Sequence, residues 1–201
     1  MKLLYSAASP YVRKVMVVAH ETGLVDRIEL VPSAVTPTAI NPEVAARNPL
    51  VKVPTLLVDD GQSLFDSRVI AEYLDTLHGG NRLFPAAGPA RWTALRRQAT
   101  ADGLLDAALL TRYEGYLRPE TLRWKDWVDG QFRKVRQAVA SLAAEGLGDS
   151  LTIGEIAAGC ALGYLDFRFP DEDWRGDYAA LATWYAKVSA RPSFQATQPK
   201  A

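Results

Sequence analysis

One cysteine, two histidines and no net charge are what this chain has to work with, and each scarcity removes a class of function. The single cysteine, Cys160, excludes an intramolecular disulfide framework and fits a reducing compartment. It lies in an apolar helical run, where a cysteine reads as a small buried hydrophobe. His20 and His78 stand apart, and no Cys/His/carboxylate cluster has ligand spacing, so no metal is expected. Lys and Arg together number 23, balanced by 23 Asp and Glu, which gives no reason to expect a nucleic-acid partner. No apolar run approaches the ~18 residues of a membrane span, so no membrane partner is expected. There is no G-x-G-x-x-G and no G-x-x-x-x-G-K-[ST], hence no dinucleotide or P-loop site. The opening MKLLYSAASP runs straight into motif sequence, so no signal peptide and a cytoplasmic location are expected.

What is present suffices for a core: 201 residues, 48% of them hydrophobic, enough for one large domain or two small ones. Lys2 to Tyr5 reads as a short strand. Ser9-Pro10 reads as N-cap and first helical residue, since proline's missing N–H costs nothing there. Val12, Val15, Met16 and Ala19 supply the apolar stripe of the helix that follows, and Gly23 stops it. Ile28 to Val31 reads as a second strand. Thr55 to Val58, the turn at Asp60-Gly61 and Ser63 to Phe65 read as a hairpin. Asp66-Ser67 offers N-cap candidates for a helix carrying Ile70, Tyr73, Leu74 and Leu77. Together these predict a compact α/β domain over residues 1–77.

Residues 78–90 concentrate glycine and proline and are expected to be a linker. After them no strand pattern appears, so 91–201 is expected to be an all-helical domain. Helices are predicted over Trp92–Leu117 and Leu122–Leu147, the latter ended by Gly146 and Gly148. Thr152 and Glu155 have capping-box spacing before the apolar segment Ile156–Leu165. A last helix carries Leu181, Trp184, Tyr185 and Val188, closed by Pro192.

The stretch Asn48–Ser67, NPLVKVPTLLVDDGQSLFDS, carries more than a hairpin. Pro54 heads a strand, where proline cannot donate to the ladder. A cis bond there would turn the Val53 N–H and C=O outward, free to pair with an extended peptide ligand. Asp66-Ser67 stands at a helix N-terminus, which suits a carboxylate ligand; a plain helix cap is the alternative reading of Ser67.

NPLVKVPTL followed by FDS, with SPYVRKV near the N-terminus, resembles the glutathione S-transferase family over nearly the whole chain. That resemblance implies a thioredoxin-like N-terminal domain and a helical-bundle C-terminal domain. It also implies a homodimer that uses glutathione as co-substrate and needs no other cofactor. Val53 and Pro54 then match the backbone contact to the cysteinyl part of glutathione, and Asp66 and Ser67 the contact to its γ-glutamyl end. Lys52 is placed to reach the glycyl carboxylate, or is a plain surface lysine. Asp102 matches an acidic residue that reaches the γ-glutamyl amine across the dimer interface, with Asp106 one turn on.

The reacting thiol must be ionised, and a free thiol with a pKa of about 8.5 is mostly protonated at neutral pH. A hydroxyl donor near a helix N-terminus meets that need. Ser9 holds the position where similar omega-class members carry a catalytic cysteine; Tyr5 and then Ser6 are its rivals. Serine at that place excludes thiol–disulfide exchange. Tyr11, Leu110, Tyr113 and Tyr116 are candidates for an apolar pocket between the domains that takes a small apolar electrophile. The expectation is a cytoplasmic detoxifying transferase. A non-catalytic glutathione- or ligand-binding protein of the same fold is the alternative.

Overall fold

The first strand, β1 (Lys2–Tyr5), buries Leu3 and Leu4 and lies second in a four-stranded sheet ordered β2-β1-β3-β4. β2 (Glu29–Pro32) runs parallel to it, with Leu3 opposite Leu30. β3 (Thr55–Leu57) and β4 (Ser63–Leu64) are antiparallel additions on the other side. The parallel pair requires a crossover. α1 (Pro10–Glu21) supplies it, with Val12, Val15, Met16 and Ala19 buried. α2 (Pro42–Ala45) is capped by Asn41, and α3 (Ser67–Thr76) follows β4 and packs against α1. At the hairpin Gly61 takes φ +87°, and the Gln62 N–H bonds the Asp60 carboxylate at 2.9 Å. This is the thioredoxin-like arrangement.

The computed structural model describes residues 1–79 and 83–200. It forms two units, Met1–Ala86 with Pro192–Ala201, and Ala87–Arg191. The second unit is helical: α4 (Gly88–Tyr116), α5 (Lys125–Glu145), α6 (Ile153–Arg168), α7 (Trp174–Asp177) and α8 (Ala179–Ser189). Among the described residues β4 is the last strand. Helix α6 is buried from Ile153 to Leu165, the pattern of a helix enclosed by neighbours rather than lying on a surface. Its start is fixed by a reciprocal capping box, Thr152 with Glu155. Its approach to α4 is close: a Cβ on Gly154 would stand 2.9 Å from the Ala94 carbonyl oxygen, so a side chain there would force the helices apart. α5 ends at Gly146, whose φ of +64° suits a residue without a Cβ.

Several boundaries differ from the sequence reading: the first unit runs to Ala86 rather than residue 77, and α6 continues to Arg168 rather than Leu165. α4 begins at Gly88, so the last residues of the expected linker 78–90 are helical; residues 80–82 of it lie outside the described residues. The second long helix starts at Lys125 rather than Leu122, with exposed Trp124 as its N-cap. Pro192 does not simply close the last helix. It opens α9 (Pro192–Ala196), and the final segment belongs to the first unit instead of the helical one. The reason is Phe194, fully buried beside α1, where the Arg13 guanidinium lies 5.6 Å from its ring centroid. Arg13 also donates to the Phe194 carbonyl at 3.4 Å.

Candidate functional site

Strand register gathers the sequence motifs of the first unit at one end of its sheet. Leu4 of β1 pairs with Thr55 of β3, and Leu56 of β3 with Leu64 of β4. The exit of β1 toward Ser9, the entry to β3 at Pro54 and the exit of β4 toward Ser67 therefore share that end.

At the entry, the Val53–Pro54 peptide bond is cis and Pro54 is buried. Among the described residues the Val53 N–H and C=O have no hydrogen-bond partner. The loop before it is tied down by a residue that sequence reading missed as part of the site. Asn48, buried, donates from Nδ2 to the Lys52 carbonyl at 3.1 Å and to Thr55 Oγ1 at 3.0 Å, and accepts the Leu50 N–H at 2.9 Å. The Thr55 hydroxyl donates to the same Lys52 carbonyl at 2.9 Å. The signal for Asn48 was there in Asn-Pro, since an asparagine side chain bonds backbone two residues on. Within this loop Val51 takes φ +50°, a conformation costly for a β-branched residue. The Lys52 side chain is exposed.

At the exit of β4, Asp66 is the N-cap of α3: its Oδ1 accepts the Arg68 N–H at 2.8 Å. The Phe65–Asp66 peptide bond is also cis. Ser67 is the first helical residue rather than the cap, 2% exposed. Its hydroxyl has no protein partner among the described residues. The cap reading of Ser67 therefore fails, because Asp66 already occupies that role.

Ser9 is the N-cap of α1. Its Oγ accepts the Val12 N–H at 3.3 Å, and its own N–H donates to the Ser6 carbonyl at 3.0 Å. A hydroxyl that accepts through a lone pair keeps its proton for another acceptor. Capping and donation to a ligand are thus compatible for one serine. Tyr5 ends β1 half-buried, and its carbonyl accepts the Ser33 N–H at 2.8 Å.

The remaining candidates are distributed. Tyr11 lies on α1 of the first unit; Leu110, Tyr113 and Tyr116 follow one another at three-residue spacing on α4 of the second. Leu110 and Tyr116 are exposed, and burial pushes the Tyr113 hydroxyl above its ordinary pKa despite the opposing charge of Arg112. Asp102 is 1% exposed on α4, while Asp106, one turn on, is exposed. Cys160 is buried in α6. His78 bonds Asp75 at 2.9 Å, and Asp75 also accepts the N–H groups of Leu83 and Phe84. No group of three His, Cys, Asp or Glu among the described residues is placed to hold a metal ion. No helix among them is long and apolar enough to cross a membrane.

Comparison with known proteins agrees with this geometry. Residues 8–77 match the glutathione S-transferase N-terminal domain and residues 125–187 the C-terminal domain of the same family. The chain is similar to the uncharacterised GST-like protein YibF of Escherichia coli K12, 31% identical over 204 residues, which covers 99% of this chain and 98% of that one. It is also similar to a glutathione transferase family member from Pseudomonas fluorescens Pf-5 solved with bound glutathione. There the identity is 49% and the TM-score 0.97, over 100% of this chain and 99% of that one. The form of that protein with bound S-(propanoic acid)-glutathione gives 48% and 0.92, over 100% of both chains. With two domain models matched in order and relatives aligned end to end, the chain belongs to the glutathione S-transferase family.

Proposed function

We propose that this protein is a glutathione transferase that conjugates the glutathione thiolate to a small electrophile of largely apolar body. The observation that carries the reading is the shared end of the first unit's sheet. Unpaired Val53 backbone, the start of α3 with the free Ser67 hydroxyl, and the Ser9 cap of α1 converge there. Val53 pairs its N–H and C=O with the cysteinyl backbone of glutathione. The Ser67 hydroxyl and the α3 N-terminus, beside Asp66, hold the γ-glutamyl end, and Lys52 faces the glycyl carboxylate. The glutathione thiol releases its proton to solvent, and the Ser9 hydroxyl donates a hydrogen bond to the sulfur that favours the thiolate. That sulfur attacks the electrophilic carbon: a carbon–sulfur bond forms, and the leaving group departs with the pair of the bond it breaks. Leu110, Tyr113 and Tyr116 on α4 provide surface for the electrophile. The S-alkyl glutathione bound by the Pseudomonas relative is the kind of compound such a transfer makes. A thiolate absorbance titration of the glutathione complex, with a screen of electrophile classes, tests the reading. A bound thiol that ionises no more readily than free glutathione assigns the protein to non-catalytic binding.

Ser67→Ala should weaken glutathione binding about 10- to 150-fold, the loss of one hydrogen bond to a carboxylate at about 1.5–3 kcal/mol. Calorimetric affinity unchanged in a folded variant removes Ser67 from the site. We also propose a cytoplasmic homodimer with a role in detoxification; Asp102, buried within its own chain, does not take the cross-subunit part that the resemblance implied. Light scattering at micromolar concentration should give twice the 22.0 kDa chain mass. A monomer at that concentration would overturn the dimer.

A further inference from the structure

Several arginines of the second unit hold carboxylates: Arg97 with Glu145 and Glu155, Arg118 with Glu114, Arg136 with Glu172, Arg175 with Asp166. Arg112 on α4 and Arg168 at the end of α6 do not. Among the described residues neither has a carboxylate partner, and the Arg168 Nε is buried with no acceptor.

Helix register puts these two at one level. α4 packs along α6, and Arg97 meets Glu155 near the start of α6. Fifteen residues on in α4 is Arg112, and thirteen on in α6 is Arg168. At 1.5 Å per residue these are rises of about 22 and about 20 Å along helices running the same way. Tyr164 lies one turn before Arg168 on the same face; burial raises and Arg168 lowers the pKa of its hydroxyl, and Arg112 acts electrostatically on both Tyr164 and Arg168. Tyr113 follows Arg112 in α4 and acts electrostatically on the Tyr164 hydroxyl. Rings complete the surroundings: Arg112 stands 5.1 Å from the Tyr116 centroid, Arg168 3.8 Å from that of Phe167.

Two guanidiniums in aromatic surroundings without a counter-charge are costly unless something pairs them. Burial, then the neighbouring Arg112 charge, hold Arg168 below the usual arginine range. Burial pushes the Tyr113 and Tyr164 hydroxyls up, so both remain protonated donors at neutral pH. Guanidinium forks and hydroxyls are the donor set that a planar carboxylate takes.

We propose that Arg112 and Arg168, with the Tyr113 and Tyr164 hydroxyls, form a carboxylate-binding subsite, so that the second substrate is an aryl or alkyl electrophile bearing an acidic group. The inference rests on the α4 surface of Leu110, Tyr113 and Tyr116 as the place of the electrophile, and narrows it. Its test titrates the full chain, without glutathione, with 4-chloro-3-nitrobenzoate and with the matching carboxamide, which has the same body without the charge. The benzoate should bind about tenfold tighter or better. Arg112→Gln and Arg168→Gln should each remove about tenfold of benzoate affinity and leave the amide unmoved. Arg168→Lys, which keeps the charge but not the fork, should fall between. Glutathione affinity, measured on every variant, should stay native and shows that each is folded. Equal binding of benzoate and amide, or benzoate affinity unmoved in both glutamine variants, overturns the subsite. Should glutathione itself fail to bind while the benzoate preference holds, the subsite stands and the transferase reading falls.

Discussion

Alanine in place of Ser9 is expected to lower turnover at neutral pH about 10- to 100-fold while leaving glutathione affinity near native. The hydroxyl accepts the Val12 N–H through a lone pair at 3.3 Å, so its proton is the one available to a thiolate. A hydrogen bond to a charged acceptor contributes about 1.5–3 kcal/mol. The α1 dipole, which the variant keeps, adds about 0.3–1. Most of the thiolate stabilisation therefore leaves with the hydroxyl. With Ser9 in the proposed role the wild type favours the charged thiolate, so its bound thiol is expected to ionise at lower pH than free glutathione. The variant needs higher pH to reach the same thiolate fraction. Its kcat/KM profile should shift toward alkaline pH and meet the native one where the thiol ionises unaided. Losing the cap should separately cost about 0.5–2 kcal/mol of stability, read in the unfolding midpoint. Ser9→Cys should form a mixed disulfide with oxidised glutathione, releasing one reduced glutathione, and appear as a mass increase of the intact protein. Full activity in Ser9→Ala with loss in Tyr5→Phe would move the role to Tyr5.

The largest effect on stability should come from Glu155. It is 2% exposed; one carboxylate oxygen accepts the Thr152 N–H at 2.9 Å and the Thr152 hydroxyl, and the other pairs with Arg97. Arg97 in turn bonds Glu145 at 2.9 Å, which also holds Arg96 at 2.8 Å. Burial alone would lower the Arg97 pKa, but its bonds and charges from Glu145 and Glu155 more than offset this and raise it. Glu155→Ala removes half the capping box and leaves an enclosed guanidinium with one partner, which should cost about 3–5 kcal/mol. Glu155→Gln keeps an oxygen for the Thr152 N–H and should cost less. All five tryptophans lie in the second unit, so urea unfolding followed by tryptophan fluorescence reads this loss where it occurs. A loss under about 1 kcal/mol would show that Thr152 and Glu145 suffice without it.

Much of this protein was legible residue by residue, because short-range chemistry wrote it. Ser9-Pro10 started α1, Asp60-Gly61 turned the hairpin, and Thr152 with Glu155 opened α6. In each case hydrogen-bond reach and φ preference act over two to four residues, and spacing alone shows them. Val53-Pro54 and Asp66-Ser67 were visible as motifs for the same reason. The short helices α2 and α7 escaped, each being only one turn and so carrying no apolar period. Burial of Arg13 on α1 escaped too, because Phe194, which it meets, lies far along the chain. What only the tertiary structure decided are meetings between distant residues. Phe194 returns to α1 across nearly the whole chain length, and Asn48 fixes the loop that presents Val53. The parallel register of α4 and α6 brings Arg112 level with Arg168. Periodicity reports which face of an element is apolar, but it is silent on which neighbour covers that face or at what height. Those choices follow from side chains packing against one another without voids, a property of the assembled core that no single stretch carries.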